Sequence, residues 1–252
     1  MRLSSPIASR FVAAWRKNAA LTAWLTVAPL TLVLIVQPIR TNSVRYAILG
    51  SLVLLLPIGI AAFKSVWARA AIVIVALLSL LPFLLPARPV SDVQLRTAYV
   101  RSLRSYVGTP YVWGGETYTG IDCSGLVRCG LMNAAFMEGL RTGNGELTRE
   151  ALSLWMHDST ASDLYEGYRS ETVKLYDGKA INDLDYSAVR PGDFAVTDNG
   201  VHTLAYLGNR TWIQATPSGG IWRVVTNRIP EERDPYFIMG VHILRWRALS
   251  GD

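Results

Sequence analysis

Gly120-Ile121-Asp122-Cys123-Ser124-Gly125-Leu126 is the stretch whose reading decides the fold. A Gly-rich turn, with Gly114-Gly115 just upstream, hands over here to a helix that continues through Leu126, Val127, Cys129 and Leu131. Asp122 stands where its carboxylate can cap that helix. A cysteine in the first helical turn meets unpaired backbone N–H groups and the positive end of the helix dipole, and both favour a thiolate. Cys123 is therefore the expected nucleophile, and Gly125 is expected to let a substrate approach the backbone. A lone cysteine is more often a buried structural residue. Cys129, among Leu, Val and Gly further down the same helix, reads that way. Six residues at about 1.5 Å of rise each put the two Cα atoms beyond disulfide reach, so both thiols are expected to be free.

A thiol nucleophile needs a base, and the chain offers three histidines. His157 ends an amphipathic helical stretch over 148–157, and His242 sits among Val241, Ile243 and Leu244; both read as structural. His202 differs, because it opens a strand just after the Asp198-Asn199-Gly200 turn, at a sheet end where side chains reach a cleft. Three dispersed histidines with no His-x-x-His or Cys-x-x-Cys pair make a poor ligand set. No metal and no cofactor is expected.

Outward from the cysteine, the upstream segment reads as a helix capped by Ser91, with Val93, Val100, Leu103 and Tyr106 as its apolar face, ending at Gly108. Downstream, residues 141–190 mix Gly, Asp, Tyr and Ser without a clean period beyond 148–157. From Pro191 short strands follow, over Phe194–Thr197, 201–207, Thr211–Thr216, 222–225 and 239–246. Asp198-Asn199-Gly200, Gly208-Asn209, Ser218-Gly219-Gly220 and Asp234-Pro235 mark the turns between them. Helices first and an antiparallel sheet after predict an α+β domain.

The base in turn needs an orienting partner, and Gln214 lies on the next strand. If the hairpin loop has an even number of residues, Gly208-Asn209 alone, position 202 faces 215 and Gln214 points to the other side. If it is odd, Gly208-Asn209-Arg210, residue 204 faces 214, and His202 and Gln214 share a face. A Cys–His–Gln unit requires the odd loop.

Charge divides the chain. Residues 1–90 hold nine Lys or Arg and no acid, leaving sixteen basic and nineteen acidic residues, a balance of −3, for 91–252. The basic pI belongs to the N-terminal third, so nucleic acid is not an expected partner of the folded domain. That third carries three uncharged apolar runs, Ala19–Val36, 47–63 and 70–86, near the ~20 residues a spanning helix needs. Arg40 and Arg45, Lys64 and Arg69, and Arg88 bracket the runs as charged flanks. Arg2, Arg10, Arg16 and Lys17 precede the first run, which places the N-terminus in the cytoplasm. Three crossings then put a 91–252 domain outside, tethered to the lipid bilayer of a multi-pass 1–90 segment.

At this point the motifs resemble a known family. Thr109-Pro110-Tyr111-Val112-Trp113-Gly114-Gly115, Asp122-Cys123-Ser124-Gly125-Leu126, Arg190-Pro191-Gly192-Asp193, Val201-His202 and Tyr206-Leu207-Gly208, in that order, resemble the NlpC/p60 cell-wall peptidases. The resemblance implies a papain-like fold, with N-terminal helices packed on an antiparallel sheet, and a bacterial thiol protease; the apolar runs, not the resemblance, place it in the cytoplasmic membrane. Its implied substrate is peptidoglycan stem peptides, cut between γ-D-glutamate and a diamino acid. It implies Cys123 as nucleophile, His202 as base and Gln214 as the third, polar member. Tyr111 looks like the family's tyrosine near the oxyanion, and Asp122 and Ser124 like the pair that binds a free stem amine in relatives acting on trimmed peptides. Residues 141–190 look like an insertion in that pattern, and the three apolar runs are no part of it. Two other readings are carried. One is a thiol-dependent lipid acyl hydrolase or acyltransferase of the same fold, whose relatives have the His before the Cys. The other is a non-catalytic pseudopeptidase that binds wall peptides.

Overall fold

The computed structural model describes residues 6–251, with side chains from residue 19 onward. Arg2 and the side chains of Arg10, Arg16 and Lys17, on which the expected orientation rests, lie outside the described residues. The chain forms two compact units, one of residues up to Gln37 with Asn42–Leu81, the other of Pro38–Thr41 with Pro82–Asp252.

The first unit is helical: α1 (Pro6–Val36), α2 (Asn42–Ala62) and α3 (Val66–Leu84). The stretches Ala19–Val36, Asn42–Ala62 and Val66–Leu84 are long and apolar enough to cross a membrane. Leu25, Leu32, Val53, Leu54, Leu77 and Leu78 point outward, as on helices whose surroundings are apolar. Helices satisfy their own backbone, which a lipid-facing segment must do. Arg45 and Arg69 flank their apolar runs from within the helices, each as the fourth residue, because α2 and α3 begin before those runs. Arg69 donates to the Phe63 carbonyl at 2.8 Å.

The second unit is the expected α+β domain. It contains α4 (Asp92–Ser105), a two-residue hairpin β1 (Glu116–Thr117) and β2 (Gly120–Ile121), α5 (Cys123–Thr142), α6 (Gly145–Met156) and α7 (Ala161–Tyr165). A six-stranded antiparallel sheet follows, made of β3 (Thr172–Gly178), β4 (Phe194–Thr197), β5 (Thr203–Gly208), β6 (Thr211–Thr216), β7 (Arg223–Arg228) and β8 (Val241–Trp246). Its order is β3-β8-β4-β5-β6-β7. One face packs on the helices: Phe194, Val196, Ala205, Ile213, Ala215 and Trp246 meet Leu95, Tyr99 and Leu103 of α4 and Leu126 and Val127 of α5. The other face, with Leu204, Tyr206, Trp212 and Ile243, is covered by Ile181, Leu184, Val189, Ile229 and Phe237 from the loops.

Two expectations change. The buried face of α4 is Leu95, Ala98, Tyr99 and Leu103, while Val93 is 62% exposed. Polar matching sets that rotation: the Tyr99 hydroxyl donates to the Val127 carbonyl at 3.1 Å and accepts from Trp246 Nε1 at 3.2 Å. Ser91 holds the N-cap position, but its side chain makes no cap bond. Residues 141–190, read as an insertion in the family pattern, also contribute to the domain's core and sheet. Leu147, Ala151, Leu154, Leu164 and Tyr168 join its core, and β3 pairs with β8 at the sheet edge.

The Arg190-Pro191-Gly192-Asp193 motif starts β4 through a buried ion pair. Arg245 Nε and Nη2 grip the Asp193 carboxylate at 2.7 and 2.8 Å, and Asp193 is fully buried. A bidentate, fully bonded pair of this kind satisfies the charges it buries.

Candidate active site

The site begins at the N-terminus of α5. Asp122 is its N-cap: Oδ1 accepts from Gly125 N at 2.7 Å and from Ser124 Oγ at 3.1 Å, and Oδ2 accepts from Gly114 N at 2.8 Å. One carboxylate thus ties the Gly114-Gly115 turn to the first turn of the helix. Burial raises the Asp122 pKa, and the Gly125 and Gly114 amides oppose that. Gly125 is required by packing. A Cβ added there would lie 2.5 Å from the Gly115 carbonyl oxygen.

Cys123 is 6% exposed and Cys129 fully buried, and both are free thiols, as expected. Cys123 Sγ faces the backbone around His202: it lies 3.9 Å from the Val201 carbonyl, and the Thr203 amide also points at it. Burial, with the Asp122 charge adding to it, pushes the Cys123 thiol up to about 12. Burial thus opposes the thiolate that the helix N-terminus and the Thr203, Ser124 and Cys123 amides favour.

His202 is held by the β4–β5 turn: its amide donates to Thr197 Oγ1 at 3.1 Å, and its carbonyl accepts from Thr197 N at 3.0 Å. The imidazole is buried, which pushes it down to about 4, with the Gln214 bond opposing. Nε2 lies 2.7 Å from Gln214 Oε1. The hairpin behind this contact is neither of the simple loops. Asn209 and Arg210 form a two-residue turn, both at positive φ (51° and 56°), with Gly208 opposite Thr211. A bulge between Tyr206 and Gly208 then adds one residue, so Ala205 faces Ile213. The register matches the odd-loop alternative, and His202 and Gln214 share a face.

Tyr111 is half-buried, edge-on to Trp222 at 6.0 Å between ring centroids. Burial raises the pKa of its phenol, with the Cys123 and Asp122 charges adding to it. His157 is exposed, its Nδ1 2.8 Å from the Ser153 carbonyl. His242 Nδ1 lies 2.5 Å from Asp177 Oδ1, and its ring stacks on Tyr165. Neither is at the site. Among the described residues no cluster of His, Cys, Asp and Glu could hold a metal ion.

Three residues join the site without a sequence signal that marks them for it. Asp234 Oδ2 accepts from Gln214 Nε2 at 2.7 Å, and Asn227 Oδ1 accepts from it at 3.1 Å. Tyr236 stacks on the imidazole, 3.7 Å between centroids and 15° from parallel. The Asp234-Pro235 pair is legible as a turn; that its carboxylate reaches Gln214 is not.

Comparison with known proteins agrees with the motif order. The profile described as NlpC/P60 family matches residues 108–234. A Mycobacterium bovis protein named "Probable endopeptidase Mb2213c" is 49% identical over 47 residues, 19% of this chain and 11% of that protein. A Mycobacterium tuberculosis protein named "Probable endopeptidase Rv2190c" matches to the same extent. The chain thus spans about a tenth of the length of these curated relatives. Among solved structures, the P60 domain of a M. avium subspecies paratuberculosis antigen is 21% identical, covering 60% of this chain and 96% of that one at a TM-score of 0.37. The peptidoglycan hydrolase RipB of Mycobacterium tuberculosis is 19% identical, covering 73% and 88% at a TM-score of 0.38. With the family profile matched over just over half of its length, the chain belongs to the NlpC/P60 family.

Proposed function

We propose that this protein is a membrane-anchored cysteine peptidase that hydrolyses peptide bonds in peptidoglycan stem peptides, the scissile bond lying between γ-D-glutamate and a diamino acid. The observation that carries the reading is the convergence of Cys123, at the N-terminus of α5, on the 201–203 backbone, with His202 bonded to Gln214. The His202 imidazole takes the Sγ proton as sulfur attacks the carbonyl carbon, which avoids building a free thiolate in a site where burial opposes it. The Cys123 and Ser124 amides and the Tyr111 hydroxyl are the donors available to the oxyanion. Collapse breaks the C–N bond, and the leaving amine takes the proton from His202, leaving a thioester on Cys123. Water then gives a proton to His202 and its oxygen to the acyl carbon, freeing the acid and the thiol.

Asp122 and Ser124 are read as the contacts to the free amine of a trimmed stem. Asp122 already accepts three hydrogen bonds, so the amine would add to a carboxylate that the fold has fixed in place. The domain is assigned to the extracytoplasmic side of a bacterial cytoplasmic membrane, where its substrate lies. Three apolar helices and the basic N-terminal third support that placement. The test is to incubate the full chain, in detergent, with defined muropeptides and identify products by mass, with Cys123→Ser as control. Cleavage after γ-D-glutamate by the unaltered chain alone supports the reading. Binding without cleavage, or cleavage only of acyl esters, overturns it.

A further inference from the structure

The imidazole at this site is the end of a longer hydrogen-bonded chain, and the direction of every bond in it is set from the far end. An ionised carboxylate can only accept. Asp234, 7% exposed, therefore requires the NH2 of the fully buried Gln214 to face it. The second Gln214 hydrogen goes to Asn227 Oδ1. Asn227 is oriented in the same way, because its own NH2 donates to Glu231 Oε2 at 3.3 Å. Glu231 is held below the usual carboxylate range, chiefly by the Arg233 amide, so it too stands as an acceptor. With both hydrogens of the amide committed, only Oε1 is left for His202. An oxygen there demands a hydrogen on Nε2, which leaves the lone pair on Nδ1. The other Asp234 oxygen accepts from Tyr236 N at 3.1 Å, and that turn lays the Tyr236 ring on the imidazole.

We propose that Asp234 is a positioning residue, seconded by Glu231 through Asn227, that dictates the tautomer of His202 through Gln214 and so makes Nδ1 the nitrogen available to take the Cys123 proton. This rests on the peptidase reading for its catalytic meaning, but the tautomer itself does not.

The experiment uses the full chain in detergent, with 15N-labelled histidine, as the unaltered protein, Gln214→Glu, Asp234→Asn and the double variant. The 15N shifts of His202, assigned by their loss in His202→Asn, report the tautomer, and the muropeptides cleaved by the unaltered chain report kcat and KM. The unaltered chain is expected to hold the Nε2–H form. Asp234→Asn lets the Gln214 amide turn over. It should mix the tautomers and lower kcat about tenfold, the rate equivalent of one hydrogen bond, with KM little changed. Gln214→Glu sets two carboxylates against each other and should lose at least as much. In the double variant the introduced carboxylate accepts from Nε2–H on one side and from the introduced amide on the other. The Nε2–H form should return, and kcat should exceed that of either single variant. A double variant worse than both singles, or an Nδ1–H tautomer in the unaltered protein, overturns the proposal. If the unaltered chain cleaves no muropeptide, the peptidase reading fails, and the 15N shifts still decide the polarity of the chain.

Discussion

His202 and Gln214 are diagonal neighbours across the β5–β6 pair, and the 2.7 Å contact between Nε2 and Oε1 exists because one extra residue is bulged out between Tyr206 and Gly208. Side chains alternate strictly along a strand, so a one-residue change of register moves a whole set to the other face. The tight Asn209-Arg210 turn alone would have separated the two residues; the bulge brings them together.

Burial opposes charge on both Cys123 and His202, so the resting state expected of the site is a neutral pair. With the thiol pushed up to about 12 and the imidazole down to about 4, a proton stays on sulfur at neutral pH. Ultraviolet absorbance of the unaltered chain should show no thiolate relative to Cys123→Ser at pH 7. A thiolate signal that titrates below neutrality would refute this. Alkylation in the folded state should still fall on Cys123, whose Sγ faces the Val201 carbonyl at the site, and reach Cys129 only on unfolding, since Cys129 lies in the core against the Glu116 carbonyl.

Burial of His202 also makes stability depend on pH. The unfolded chain takes up this proton near 6.5 and the folded chain only near 4. The unfolded state therefore binds more protons between those values, and stability rises with pH across that window. The neutral imidazole's contribution is fully present above 6.5 and is lost as pH falls toward 4, by roughly 3 kcal/mol in all. Denaturant titrations at pH 7 and pH 5 should show a smaller acid loss for His202→Asn than for the unaltered chain. Equal losses would mean the ring is solvated.

The sequence displays most of what positions the site and little of what surrounds it. Asp122 as cap, Cys123 at the helix start and His202 at the strand start are local features, fixed by turn chemistry within a few residues. β4 and β6 are buried along almost their whole length, and their bounds agree with the expected ones. β3 is not legible, because it is a charged edge strand whose pairing with β8 shifts between Lys174 and Tyr176, which breaks the alternation a strand is recognised by. Asp234 reads only as half of an Asp-Pro turn. Its bond to Gln214 joins residues twenty apart, and nothing local to either announces it.

The membrane reading has its own check. A reporter fused after Asp252 should be active only outside the cytoplasm, given three apolar helices and a first third with nine basic residues and no acid. Cytoplasmic activity would remove the placement and direct attention to recycled wall peptides.

The proposed roles of the three central residues are separated by the size of their losses. Cys123→Ala should abolish turnover, because no other described group at the site can form the thioester. His202→Ala should cost nearly as much, since members of one catalytic unit do not act additively. Gln214→Ala should cost less in rate, about tenfold, because a neutral amide contributes orientation through one hydrogen bond of roughly 0.5–1.5 kcal/mol. It should cost more in stability than a surface change, about 1–3 kcal/mol, since the buried Asp234 carboxylate loses its donor. Gln214→Asn and Gln214→His keep a polar group and should retain part of the activity. The shorter Asn has to span a 2.7 Å contact on each side, so His is expected to do better. The order Cys123, then His202, then Gln214 is measured by kcat/KM on one muropeptide, with folding checked in parallel. Gln214→Ala as damaging as Cys123→Ala in a folded protein would make Gln214 a contact to the reacting peptide. No loss at all would mean that Tyr236, stacked on the ring at 3.7 Å, orients the imidazole by itself.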